Sequence, residues 1–382
     1  MKLHVNLVIL FFGVFISVAV AQETREGLFV TTIGDDTLAV ESYQIDAIGV
    51  HGTSITRTPK TTVRMYSMKV DSHGMPETVT ISYGAIGSEP NLTRTFHYFD
   101  DSLQVEMKQA SGSRVNSANI AGRPIPFVPD IFGMWSYAIQ RALAPNGTKH
   151  LEILSGTRVL KYDMHGTVPG KLELSYPDNN FGPIYATVSA SGDLQKLDMT
   201  PTTDKFVATW VSHLDVDAMG RIFLAREQAG NSLGTLSPRD TAHASFNGAS
   251  ILIDYGRPSM RGRKVFGNIV PWNVVWRLGA NAATQLVTDK TLAFGKTVVE
   301  PGTYSLFALP SQKTWMLIVN KQHGQWGTVY DQAKDLARLQ MKSEHLKKPV
   351  ERFTARIDTR GRKGALVFEW EKSRLTAPFT IR

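Results

Sequence analysis

From Gly27 to about Glu106 the chain alternates apolar or β-branched residues with polar ones. LFVTTIG, TLAVESYQI, TTVRMYSMKV, TVTISYG and TRTFHYF carry the alternation, and GDD, TPK, SHG and GSEP interrupt it. Period-2 patterning puts one strand face on a core and the other in water, which is the signature of antiparallel strands. The period then changes. Ile131, Met134, Trp135, Ala138 and Ile139 recur at helical spacing and predict a helix over Ile131–Ala144, with Asp130 as N-cap and Pro145-Asn146-Gly147 as stop. Strands resume with HLEIL, TRVLKYDM, KLELSY, IYATVSA and LQKLDM, with Ser191-Gly192-Asp193 as a tight turn before the last. Residues 22–213 are therefore expected to form a curved antiparallel sheet or open barrel with one helix packed in its mouth.

Leu214 to Gly230 reads as an amphipathic helix with Leu214, Ala218, Ile222 and Ala225 on one face and Gly230 at its C-cap. Asn231 to Pro238 is rich in Gly, Ser and Asn, so 214–236 is expected to be helix plus linker and 237–382 a second domain. Its strands are short. Asn247-Gly248 predicts a hairpin, Pro301-Gly302 a turn into an alternating strand, and Arg360-Gly361-Arg362 a second hairpin. Tyr330–Met341 predicts a short helix or helical turn. Eight to ten short strands in this length favour a β-sandwich of jelly-roll type. The fold class expected is mainly β, with an N-terminal curved sheet or open barrel and a C-terminal sandwich carrying one short helix.

Composition narrows the setting. Leu7–Val20 is apolar and Ala19-Val20-Ala21 is a small-x-small site, so residues 1–21 are expected to be a signal peptide and the protein exported, periplasmic or secreted. No later stretch is long and apolar enough to span a bilayer, so no stable membrane anchor is expected. The chain has no cysteine, which excludes disulfides, thiolate nucleophiles and thiolate metal sites. The net charge of +8 is spread along the chain without a Lys/Arg block, so nucleic acid is not an expected partner.

Candidate chemistry gathers in one stretch, Ile251–Thr284. Arg257, Arg261, Arg263 and Arg277 lie there among Gly and Pro, interleaved with Trp272 and Trp276. Pro258 biases Arg257 towards an extended backbone. SPRD at 237–240, IDYGRPSMRGRKVFGNIVPW at 253–272, VWRLGANAAT at 275–284, PGTYSLFALP at 301–310, WMLIVNK at 315–321, QWGTVYD at 325–331 and DLAR at 335–338 follow in order. On these motifs, residues from about 236 to 382 resemble the bacterial exported family 2911 of domains of unknown function. The resemblance implies an exported β-rich domain and brings no reaction, cofactor or catalytic residue. Ala283 departs from it, at a position where an acidic or polar residue is expected in many relatives. The N-terminal half resembles, in pattern alone, the lipoprotein-carrier-like half-barrels of the bacterial envelope. That resemblance implies a concave face able to carry an apolar ligand, whereas the plainer reading has the helix plug the core.

Two readings of the arginine stretch compete. In one, Asp254, Arg257, Arg261, Arg277, Asn281 and Trp326 form a ligand site. Guanidinium forks suit carboxylate, phosphate or sulfate, Asn281 donates and accepts, and Trp326 or Trp272 stacks on a sugar ring or an arginine. In the other, Arg257 or Arg277 pairs with Asp254, Asp331 or Asp335 and ties loops to the sandwich. Enzyme templates are missing: there is no G-x-S-x-G elbow, H-E-x-x-H pair or P-loop. His243 and His323 leave a metal pair or Ser-His-Asp set only arithmetically open. Asp254, Asp331, Asp335 and Glu369 are the carboxylates from which a glycosidase pair would be drawn. Trp315, Trp326 and Trp370 are expected to fill the core. The sequence thus favours an exported binder of a small polar or anionic ligand. A glycan hydrolase and a structural envelope protein are the alternatives; no cofactor or metal is called for, and the catalytic residues and oligomeric state stay open.

Overall fold

The computed structural model describes residues 24–156, 158–176 and 182–382. The expected signal peptide lies outside the described residues. The first half is one open sheet of fifteen strands among the described residues, and no barrel closes. Strands β1 (Arg25–Ile33), β2 (Asp36–Asp46), β3 (Gly49–Thr56), β4 (Thr62–Val70), β5 (Pro76–Gly84), β6 (Leu92–Tyr98), β7 (Ser102–Gln109) and β8 (Gly112–Asn119) form an antiparallel meander. The chain then crosses to the opposite edge, where β9 (Ile125–Pro126) lies parallel to β10 (His150–Ser155). From there β11 (Arg158–Val168), β12 (Lys171–Ser175), β13 (Ile184–Val188), β14 (Leu194–Asp198) and β15 (Val207–Trp210) walk back until β15 pairs with β1.

The connection between β9 and β10 carries helix α1 (Gly133–Leu143), whose Met134, Trp135 and Ile139 are buried with Phe29, Tyr43, Leu174 and Leu197 of the sheet. The helix covers one face of the sheet, as its apolar stripe requires. Its cap differs from expectation. Asp130 has a left-handed backbone (φ 68°) and points to Arg64, and the N-cap residue is Phe132, with no side-chain cap of its own. The free N–H groups are satisfied across the core instead. Glu41 on β2 accepts from Phe132 N at 2.8 Å, Gly133 N at 3.1 Å and the Tyr66 hydroxyl at 2.5 Å. A helix N-terminus needs acceptors of any origin, and a sheet carboxylate aimed along the dipole supplies them. Burial pushes the Glu41 carboxyl up to about 7, against the lowering pull of these three bonds.

A second helix, α2 (Val216–Gln228), is capped by Asp215, whose carboxylate accepts from Ala218 N at 2.8 Å. It packs on the other face of the sheet through Val216, Gly220 and Phe223 against Val40 and Ile55. Of the face expected from Leu214, Ala218, Ile222 and Ala225, Leu214 packs against this cluster and Ala218 is half-buried, while Ala225 and Ile222, the latter 44% exposed, turn outward. Ile55 and Ile86 reach the helix where Gly220 has no side chain, so the closest approach selects that face.

The second half forms a nine-stranded sheet: β16 (Arg239–Phe246), β17 (Ala249–Gly256), β18 (Thr284–Thr288), β19 (Leu292–Phe294), β20 (Thr297–Val299), β21 (Gly302–Pro310), β22 (Trp315–Asn320), β23 (Asp335–Arg360) and β24 (Lys363–Ile381). Asn247 and Gly248, both at positive φ, turn the β16–β17 hairpin, and Gly361 turns β23 into β24. β23 is 26 residues long, which lets its start pair with β22 while its end pairs with β24 and lies against β16. The ribbon therefore folds over itself around a core that includes Ile253, Leu306, Leu317 and Phe368. The helix expected over Tyr330–Met341 shrinks to one 3-10 turn at Gln332–Lys334; from Asp335 the chain is strand. Ala337, Leu339 and Met341 pair with Val319, Leu317 and Trp315, and this pairing outweighs the helix propensity of LARLQM.

Candidate functional site

The 27 residues between β17 and β18 hold the arginine stretch, and they are not a floppy excursion. Isolated bridges stitch Ser259 to Arg352, Trp276 to Ala308 and Ala282 to Trp326. Phe266 sits edge-on to Trp315 at 4.8 Å between ring centroids, and Trp276 stacks on Trp370 at 5.9 Å. Trp315 and Trp370 are buried, as core-filling tryptophans should be, whereas Trp326 is 53% exposed. Aromatic packing thus fixes the backbone from which the polar side chains project.

Those side chains have different fates. Asp254 is held by Arg239 in a two-pronged pair, at 2.7 and 3.0 Å. Arg257 binds Asp240 at 3.0 Å and donates to the Thr354 hydroxyl at 3.3 Å. Arg261 reaches out of the C-terminal sheet region and meets Asp36 of the N-terminal sheet at 2.5 Å, while its carbonyl accepts from Asp35 N. Of the carboxylates considered as partners, Asp331 caps the 3-10 turn, Asp335 accepts from Asn320, Tyr330 and Arg338, and Glu369 lies between Arg356 and Arg374. Each is engaged separately. His243 reaches the Ser250 hydroxyl at 3.0 Å, but Asp289 accepts from the backbone N–H of Ser250 rather than from the histidine, so no triad forms. No group of three or more potential metal ligands exists among the described residues.

Arg277 and Asn281 stand apart from the rest. Both line a cavity of about 710 Å³ between the two halves of the chain. Gly327 makes room for the Arg277 stem: a Cβ there would collide with Arg277 Cδ and with the Asn281 carbonyl. Asn281 (φ 62°) accepts from Gly327 N through its carbonyl and donates Nδ2 to Ser237 O at 3.3 Å. Arg277 makes no ion pair among the described residues, and its Nη1 is buried without a hydrogen-bond partner there. Burial lowers its pKa, and Asp204 partly opposes this.

The opposite wall comes from the β14–β15 connection, which the sequence did not flag. Asp204 and Lys205 line the cavity, with Thr202 and Thr203 beside them. Asp204 is solvent-accessible through the cleft yet surrounded by enough protein that desolvation raises its pKa, against the pull of Arg277. Lys205, held at φ 61°, donates Nζ to Thr200 O at 3.0 Å; desolvation with Arg263 and Arg277 nearby lowers it to about 8. Arg263 completes the set, its guanidinium fixed by Met260 O at 2.9 Å and Ser259 O at 3.0 Å. Residues 237–379 match the family model described as Protein of unknown function (DUF2911). The matched segment holds Arg263, Arg277 and Asn281, while Asp204 and Lys205 lie before it. No curated protein matches the chain. Ala283, where the family resemblance implies a polar residue, is buried here against Phe307 and Ile318, so the DUF2911 segment offers no carboxylate to Arg277 at that position.

Proposed function

We propose that the protein binds a small anionic ligand in the cleft between its two halves. Arg277, Arg263 and Lys205 supply the positive charge, and Asn281 lies at the rim. The observation that carries this reading is Arg277. A guanidinium with a buried, unpartnered N–H is costly unless something accepts from it, and about 1–3 kcal/mol is at stake for each such group. Arg277 faces a cavity rather than a carboxylate within ion-pair distance. The rival readings draw less support. Asp204 is the one carboxylate among the described cavity residues, whereas a glycosidase needs two. Asp254, Arg257 and Arg261 have internal partners and serve the architecture. Trp326 is outside the cavity lining.

The full chain, melted with and without sulfate, tests the reading. Wild type is expected to gain thermal stability as sulfate occupies the site, following the usual logarithmic dependence on ligand concentration. Arg277→Gln is expected to lose most of that gain. Equal gains for both proteins, or none for either, would reject it. Export belongs to the same proposal, supported by the apolar run Leu7–Val20 before Ala19-Val20-Ala21. The mature protein is then expected to begin at Gln22, which intact-mass measurement of material recovered outside the cytoplasm checks.

A further inference from the structure

The charge inventory of the cleft goes further than "anionic". Among the described residues lining it, Lys205, Arg263 and Arg277 are cationic and Asp204 is anionic, a balance of +2. Behind Arg263 lie Arg261, Asp36 and Glu351, of which Arg261 and Asp36 form a pair. Behind Asp204 lies Asp130, paired with Arg64. A partly desolvated lining with a balance of +2 favours a ligand that carries two negative charges.

The donors suit a compact group with several acceptor oxygens. Arg277 Nη1 is unpartnered. The two backbone carbonyls that hold Arg263 engage its Nε and Nη2, so Nη1 is left over among the described residues. Lys205 spends one ammonium N–H on Thr200 O, and two remain. Three cationic donors from three separate backbone segments match a tetrahedral oxyanion better than a planar carboxylate, which a single arginine already satisfies. Part of the remaining lining is apolar. Ile269, Val275, Trp276 and Trp370 form a wall, and Val274 lies on the cavity while 53% exposed, an apolar side chain left without cover. A bare ion would leave that wall wet.

We propose that the ligand is a phosphate monoester, with its dianionic phosphate among Lys205, Arg263 and Arg277 and an apolar or aromatic ester group against the Val274–Trp276 wall. This rests on the anion-binding reading given above and narrows it to a substrate class.

Phenyl phosphate is the probe, titrated calorimetrically into the full chain beside benzenesulfonate, which has a similar shape and one charge, and inorganic phosphate, which lacks the apolar group. The second phosphate ionisation falls near pH 6, so the measurement is made at about pH 5.0 and 7.5. Deprotonation of Asp204 and Lys205 over this range weakens anion binding and so opposes the expected rise, and benzenesulfonate reports that effect for a single charge. The ratio of affinities is expected to rise about tenfold between the two pH values. Inorganic phosphate is expected to bind more weakly than phenyl phosphate at pH 7.5. Binding of all three with a pH-independent ratio would overturn the dianion inference and leave the anion-binding reading standing. Inorganic phosphate binding as tightly as phenyl phosphate would overturn the ester. Binding of phenyl phosphate that Arg277→Gln leaves unchanged, or no binding of any probe, would overturn both proposals.

Discussion

Glu41→Gln is the sharpest perturbation of the N-terminal sheet. Glu41 is fully buried and takes its hydrogen bonds from Tyr66 and the first amides of α1. Desolvation lifts its pKa from the ordinary 4.5 to about 7. An acid whose folded value is raised contributes stability that is fully present below 4.5 and lost as pH rises through about 7, because the unfolded chain ionises first. At about 1.4 kcal/mol per pH unit, that interval corresponds to roughly 3 kcal/mol. Glutamine keeps the shape and one acceptor oxygen but does not titrate. The stability of wild type minus that of Glu41→Gln should therefore fall by roughly 3 kcal/mol between pH 4.5 and 7.5. Native-state hydrogen exchange of the α1 amides measures it without requiring the two halves of the chain to unfold together. Asp130 is also raised by burial and is present in both proteins, and its charge is one of the causes that raise Glu41. A flat difference would refute the reasoning. A difference that appears only below pH 4.5 would show that the helix dipole and its amides hold Glu41 ionised against desolvation.

Three further outcomes follow from the contacts. Gly327→Ala pushes a methyl group into the Arg277 stem and is expected to destabilise by about 1–3 kcal/mol and to weaken sulfate binding, read by thermal melts and titration of the same sample. Asp36→Asn removes the partner of Arg261, whose side chain is only 11% exposed. It is expected to cost roughly 2 kcal/mol and to increase proteolysis in the 229–238 segment, whereas an unchanged digestion pattern would deny the contact a role in holding the halves together. Lys205 has its pKa lowered to about 8 in the free protein. Sulfate keeps its charge over this range, so affinity should fall as pH rises from 7 to 9 in wild type but not in Lys205→Gln.

Much of the fold was legible because its signals are local. Alternation in β1, β2, β4, β5 and β6, the Asn247-Gly248 turn and the α1 stripe each need only a few neighbouring residues to be read. What escaped depends on distant partners. Glu41 caps a helix 91 residues later, and no local pattern announces that. β8 is polar and exposed at a sheet edge, so it carries no alternation to detect. The LARLQM strand has helix-forming residues and becomes a strand through pairing with β22. The arginine stretch was conspicuous, but its sorting was not. Asp240 and Asp36 claim Arg257 and Arg261 only in three dimensions. Asp204 and Lys205 were invisible because a Thr-Thr-Asp-Lys turn looks like any surface loop until the C-terminal half of the chain lies over it.

The central claim is that Arg277, Arg263 and Lys205 hold an anion between the two halves of the chain. Crystals of the full chain grown without sulfate or phosphate and soaked in selenate would test it most directly, since selenium scatters anomalously. The account predicts an anomalous peak inside the cleft, within hydrogen-bonding distance of Arg277 Nη1 and Lys205 Nζ. Selenate at the surface alone, with the Arg277 guanidinium closed onto Asp204, would contradict it.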